Sequence, residues 1–133
     1  MGKRYIVGLA DVGIADVARV GGKNAALGEM IQGLGVSGIR IPDGFAITTD
    51  AYREFLASVG IAASIRRELA GIRKGDVGSL KKHGAAVRRL ILRAAMPAAI
   101  DRDVRVAYRA LGRGKEKAPY VAVRSSATAE DLP

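Results

Sequence analysis

Apolar residues along this chain fall into short clusters whose spacing switches between strand-like runs and helical periodicity. Tyr5-Ile6-Val7 predicts a short buried strand, followed by a glycine-containing loop and a helix beginning near Lys23 or Asn24. Leu27, Met30, Ile31 and Leu34 mark one face of that helix, and Gly35 is placed to end it. The stretch from Ser37-Gly38 to Pro42-Asp43-Gly44 resists regular structure, and Phe45-Ala46-Ile47-Thr48 predicts a second strand. Thr49 is positioned to cap the next helix, with Asp50 in its first turn. Tyr52, Phe55, Leu56 and Val59 then form an apolar stripe that Gly60 terminates.

From residue 61 to 112 the pattern is helical with interruptions: Ile61 to Ile72, Leu80 to Met96, and Ala98 to Leu111. Pro97 suits the first turn of the third segment, where a missing amide donor costs nothing. In that segment Ile100, Val104, Ala107, Tyr108 and Leu111 share one side, while Arg102, Arg105 and Arg109 fall on the other. Gly112-Arg113-Gly114-Lys115 closes the helical block, and Tyr120 to Arg124 returns as a strand. No internal repeat interrupts this order. The predicted fold class is α/β, with few short strands and a helical insertion at about residues 61–112. Part of its apolar surface is expected to need further chain to cover it.

At 133 residues the chain can build one core but not several. An apolar fraction of 49% argues against a mainly disordered chain. The absence of cysteine excludes thiolate catalysis and disulfides, and fits a cytoplasmic location. With one histidine, His83, no histidine-rich metal cluster can form; it sits in Lys81-Lys82-His83-Gly84 and reads as a surface residue rather than a phosphate carrier. The opening apolar run is too short for a secretory core or a membrane span.

The basic excess is regional, since residues 66 to 117 hold 15 Lys or Arg against 5 Asp or Glu. Such a block could bind nucleic acid or another polyanion, but interleaved aromatics and a reading motif are both lacking. A solvated helix face is the favoured reading.

Three motifs carry candidate chemistry. Gly21-Gly22-Lys23-Asn24-Ala25-Ala26-Leu27-Gly28-Glu29-Met30 opens with two residues lacking side chains, followed by a helix start with its unpaired amides and a mobile ammonium. It departs from the usual phosphate loop at Val17 and Asn24, and on its own reads as ordinary loop-to-helix punctuation. Ile41-Pro42-Asp43-Gly44-Phe45-Ala46-Ile47-Thr48-Thr49-Asp50-Ala51-Tyr52 lies between the other two. Val121-Ala122-Val123-Arg124-Ser125-Ser126-Ala127-Thr128 places an arginine where a strand gives way to small hydroxyl residues. A guanidinium there can hold phosphate oxygens, or it can pair with Glu130 or Asp131. Ser125, Ser126 and Thr128 can bond phosphate oxygens or cap turns through their own backbone. Asp43 and Asp50 occupy ordinary turn and helix-start positions, so no magnesium site is assigned to them or to Glu130 and Asp131.

Together, and in this order, the three motifs resemble the amino-terminal part of the phosphoenolpyruvate synthase family, within the wider group that includes pyruvate phosphate dikinase and the rifampin phosphotransferases. The likeness is strongest at the motifs and weakest across residues 60 to 118. It implies that residues 1–133 are the incomplete first part of an ATP-grasp-type nucleotide-binding domain, with Lys23 and Arg124 contacting the ATP phosphates and Gly21, Gly22, Ser125, Ser126 and Thr128 supporting them. The implied reaction converts ATP, pyruvate and water to AMP, phosphoenolpyruvate and phosphate, through a carrier histidine on a separate domain. The implied Mg2+ ligands, carrier histidine and pyruvate site all fall outside this chain, so it is expected to be inactive alone and to need a complementary downstream portion. The alternatives are a fragment of a dikinase or a rifampin phosphotransferase, or a non-catalytic basic domain that binds polyanions.

Overall fold

A computed structural model describes residues 5–112 and 118–129. Arg113, Gly114 and Lys115, expected to close the helical block, lie outside the described residues, as do Glu130 and Asp131. The fold is mixed α/β and mostly helical. It runs β1 (Ile6–Gly8), two 3-10 turns (Leu9–Asp11 and Ile14–Asp16), α1 (Val17–Val20), α2 (Gly22–Gly35), β2 (Phe45–Ile47), α3 (Thr49–Ser58), α4 (Ala62–Ala70), α5 (Val77–Arg93) and α6 (Ala98–Leu111).

Two compact units divide these elements: Met1–Tyr52 with Ala98–Pro133, and Arg53–Pro97. In the first, β1 and β2 pair antiparallel with Val7 opposite Ala46. A three-residue ribbon is marginal by itself. It is supported by Val7, Leu9, Val12, Val20, Ala25 and Ala46, which form one buried cluster with Val17, Leu27 and Ile31 packed on it. Helix α6 lies against β1 and buries Ile100. Its apolar stripe faces inward as the periodicity requires, while Arg102, Arg105 and Arg109 are exposed. Arg105 donates to Asp101 at 2.8 Å one turn earlier, which holds the Asp101 carboxyl below its ordinary range.

Helix α2 departs from its apolar periodicity. Leu27 and Ile31 pack on the core, but Met30 and Leu34 are exposed and the fully buried positions are Ala25 and Gly28. The reason is that α2 packs on the backbone of the loop over residues 9–14. A Cβ on Gly28 would stand 2.0 Å from the Val12 carbonyl oxygen. One turn on, Gln32 Nε2 donates to the Ala10 and Val12 carbonyls, each at 3.0 Å, and Glu29 accepts from the Ile14 amide at 2.8 Å. Polar side chains therefore do work that a leucine stripe would do against another helix.

Two further sequence expectations shift. The cap of α3 is Thr48, whose hydroxyl accepts from the Ala51 amide, rather than Thr49, which instead donates to the Ala18 carbonyl. The predicted strand at Tyr120–Arg124 is not one: residues 118–127 have no regular structure and no ladder partner among the described residues. The alternation of valines suits a strand, but Val123 is 94% exposed and nothing pairs its backbone. This segment is tethered locally, because Tyr108 donates its hydroxyl to the Pro119 carbonyl at 2.7 Å.

In the second unit, α4 packs against α5. Asp76 caps α5 by accepting from the Ser79 amide at 2.9 Å, and its other oxygen pairs with Arg73 at 2.9 Å. His83 is not a simple surface residue: it is largely covered, and its Nδ1 is hydrogen-bonded to the Glu68 carboxylate at 2.8 Å. No described helix is long and apolar enough to cross a membrane.

Candidate functional site

The start of α2 is built by glycine. Gly21 ends α1 by donating to the Val17 carbonyl, then turns the chain with φ +82°, a conformation that a side chain disfavours. Asn24 joins the two helices, because its side-chain Nδ2 donates to the Val20 carbonyl at 2.8 Å. That bond gives a structural reason for asparagine where a conventional phosphate loop has serine or threonine.

Across this junction lies the Arg124-to-Thr128 segment. The Gly22 amide donates to the Ala127 carbonyl at 3.2 Å, and the Asn24 amide donates to the Ser126 hydroxyl at 3.2 Å. A Cβ on Gly21 would fall 2.3 Å from Ser126 Oγ and 2.5 Å from its carbonyl oxygen, so glycine is what lets the segment approach. Residues about a hundred positions apart thus meet at one helix end. The amides of Gly22 and Asn24, read from sequence as open to a ligand, are engaged by this segment instead.

Lys23 and Arg124 flank the junction and both are exposed. Lys23 lies between the two engaged amides, and Arg124 precedes Ser126 by two residues, at most about 7 Å of extended chain. Of the supporting candidates, Gly21, Gly22 and Ser126 are brought together, while Ser125 and Thr128 are exposed and make no hydrogen bond among the described residues. Arg124 has no carboxylate partner among the described residues. Asn24 and the Ala127 carbonyl were not singled out from sequence. Asn24 carried one signal, as a short amide side chain at a helix start. The described residues contain no group of carboxylates or histidine arranged to hold a metal ion.

The junction brings the Ser126–Ala127 segment onto the positively polarised start of a 14-residue helix. Comparison with known proteins agrees in kind. Residues 17–133 match the family described as "Pyruvate phosphate dikinase, AMP/ATP-binding domain". The chain is 47% identical to the phosphoenolpyruvate synthase of Pseudomonas aeruginosa over 97% of its own length and 16% of that protein's. It is 43% identical to the enzyme of that name from Neisseria meningitidis over 100% of its length and 17% of the relative's, and 44% identical to that of Escherichia coli over 92% and 15%. The chain therefore spans about a sixth of these relatives, and the family match takes in all three motifs. On that match, this chain belongs to the pyruvate phosphate dikinase AMP/ATP-binding domain family.

Proposed function

We propose that this chain is the amino-terminal, ATP-binding portion of a phosphoenolpyruvate synthase, a cytoplasmic enzyme that converts ATP, pyruvate and water to AMP, phosphoenolpyruvate and phosphate. The observation that carries the reading is the meeting of the Gly21-Gly22-Lys23 turn with the Arg124-to-Thr128 segment, in a chain of an AMP/ATP-binding family. Lys23 and Arg124 would hold phosphate oxygens, the ammonium as a mobile point charge and the guanidinium as a planar fork. Gly21, Gly22 and Ser126 fix the backbone on which the two cations stand, and Ser125 and Thr128 supply hydroxyls at its rim. The ATP-grasp architecture is part of this proposal, with residues 1–133 as its incomplete first part and the helical stretch about 61–112 inserted in it.

Phosphoryl transfer depends on positioning and on neutralising charge around the transferred group. Two cations without carboxylates to hold Mg2+ support binding rather than turnover. The described residues offer no such carboxylate group, so no step is assigned to a metal here. Pyruvate, the carrier histidine and the metal would enter through sequence beyond residue 133.

The test restores that sequence and assays pyruvate-dependent AMP formation. Arg124→Ala and Lys23→Ala should each reduce it sharply, because a charge-assisted contact in a closed site contributes about 2–4 kcal/mol to the reacting state. Full activity in both variants would remove the residue assignments. Product analysis separates the synthase reading from a dikinase or an antibiotic phosphotransferase, which share the amino-terminal motifs but not the acceptor.

A further inference from the structure

The helix pair α4–α5 encloses a shallow cleft of about 490 Å3, lined by Ser64, Arg67 and Glu68 from α4 and by His83, Arg89 and Arg93, among others, from α5. Its volume lies within the range of about 300–1,000 Å3 typical of small-molecule sites. Arg89 and Arg93 are one helical turn apart and repel each other, and Arg67 adds a third guanidinium from the opposite wall. Four arginines elsewhere have acidic partners: Arg19 with Asp16, Arg73 with Asp76, Arg102 with Asp103 and Arg105 with Asp101. The three in the cleft form no ion pair among the described residues, and Arg67 reaches only the Ser64 hydroxyl at 3.1 Å. The one carboxylate in the lining, Glu68, is turned onto His83 at 2.8 Å. A single carboxylate thus faces three guanidinium groups, which leaves the lining with an excess of positive charge.

We propose that this cleft is a binding site for a compact multivalent phosphate, distinct from the Lys23–Arg124 junction and independent of the reading given to that junction. Guanidinium forks match the paired oxygens of phosphate groups, and three of them around one concavity favour a ligand carrying several charges in a small volume. A nucleic-acid strand is disfavoured. No Phe, Tyr or Trp lines the cleft, so bases have no stacking platform, and the charges converge on a depression rather than tracking an extended backbone.

The experiment is calorimetric titration of the 133-residue chain with inorganic tripolyphosphate at moderate salt, with circular dichroism on each variant. Arg89→Gln with Arg93→Gln should weaken binding by about tenfold or more. Arg66→Gln with Arg88→Gln removes the same charge from exposed positions of the same two helices outside the cleft, and should change it by less than about twofold. Lys23→Ala with Arg124→Ala should leave the cleft's binding event in place. All these side chains are exposed, so the variants are expected to keep the wild-type helical signal. Equal losses in the two arginine pairs, loss only in the Lys23/Arg124 variant, or no measurable tripolyphosphate binding would each overturn the proposal. So would tighter binding of a short DNA duplex than of tripolyphosphate, with the same dependence on both arginine pairs, which would assign the surface to nucleic acid.

Discussion

Two glycines in α2 should respond in opposite directions to the same substitution. Gly28 and Gly33 both lie inside the helix, where alanine is favoured over glycine by about 1 kcal/mol. At Gly33 nothing lies within 4 Å of the added methyl, so Gly33→Ala should stabilise by about 0.5–1 kcal/mol. At Gly28 the methyl would sit 2.0 Å from the Val12 carbonyl oxygen and 2.8 Å from that of Leu9, both main-chain atoms that cannot swing aside. Relieving the overlap costs about 1–3 kcal/mol. It also pushes α2 away from the loop that Gln32 and Glu29 hold, each strained bond losing about 0.5–1.5 kcal/mol. After subtracting the helix-propensity gain, Gly28→Ala should lose about 1–5 kcal/mol. Urea unfolding followed by circular dichroism reads both, with the midpoint falling for Gly28→Ala and rising for Gly33→Ala. Equal midpoints for the two variants would refute the claim that α2 is seated on bare backbone.

Three other outcomes follow from local geometry. Asp76→Ala removes the cap of α5 and the Arg73 pairing, and should cost about 1–2 kcal/mol in the same unfolding assay, whereas Asp76→Asn should recover most of the cap. Asp101 has its pKa lowered in the folded state by the Arg105 hydrogen bond, so its contribution is present above its ordinary value of 3.8 and fades as pH falls through the folded value. The stability gap between wild type and Asp101→Asn should accordingly close in acid titrations and stay constant near neutrality, and a gap independent of pH would count against the pairing. Gly21→Ala should expel the Ser126–Ala127 segment, seen as faster hydrogen exchange at the Gly22 and Asn24 amides, while Ser126→Ala should speed exchange at Asn24 alone.

What the sequence disclosed depended on how local the determining interaction was. The stripe of α6 needed only periodicity and a core to face, and its arginines lie where the pattern put them. The stripe of α2 was misleading because the helix packs on carbonyls and amides, for which Gly28, Glu29 and Gln32 are the right residues and for which hydrophobic spacing carries no signal. Tyr120–Arg124 has strand-forming side chains, but a strand also needs a partner backbone, and pairing is a non-local fact that alternation cannot encode. At the junction, Gly21 and Lys23 stood out by residue type, and Arg124 by its place after a β-branched run. The bond joining their two segments, from the Asn24 amide to Ser126, spans 102 positions and is visible only once the chain is folded. Asn24 itself was passed over because its bond to Val20 serves the helix junction and not any ligand-binding pattern.

The central claim is that the Gly21-Gly22-Lys23 turn and the Arg124-to-Thr128 segment form one nucleotide site, and amide-resolved NMR titration of the chain with ATP tests it most directly. Signals of Gly22, Lys23 and Asn24 should shift together with those of Arg124 to Ala127, along one saturation curve, and Lys23→Ala or Arg124→Ala should weaken the shifts in both segments. Shifts confined to one segment, or two segments saturating at unrelated ATP concentrations, would contradict a shared site.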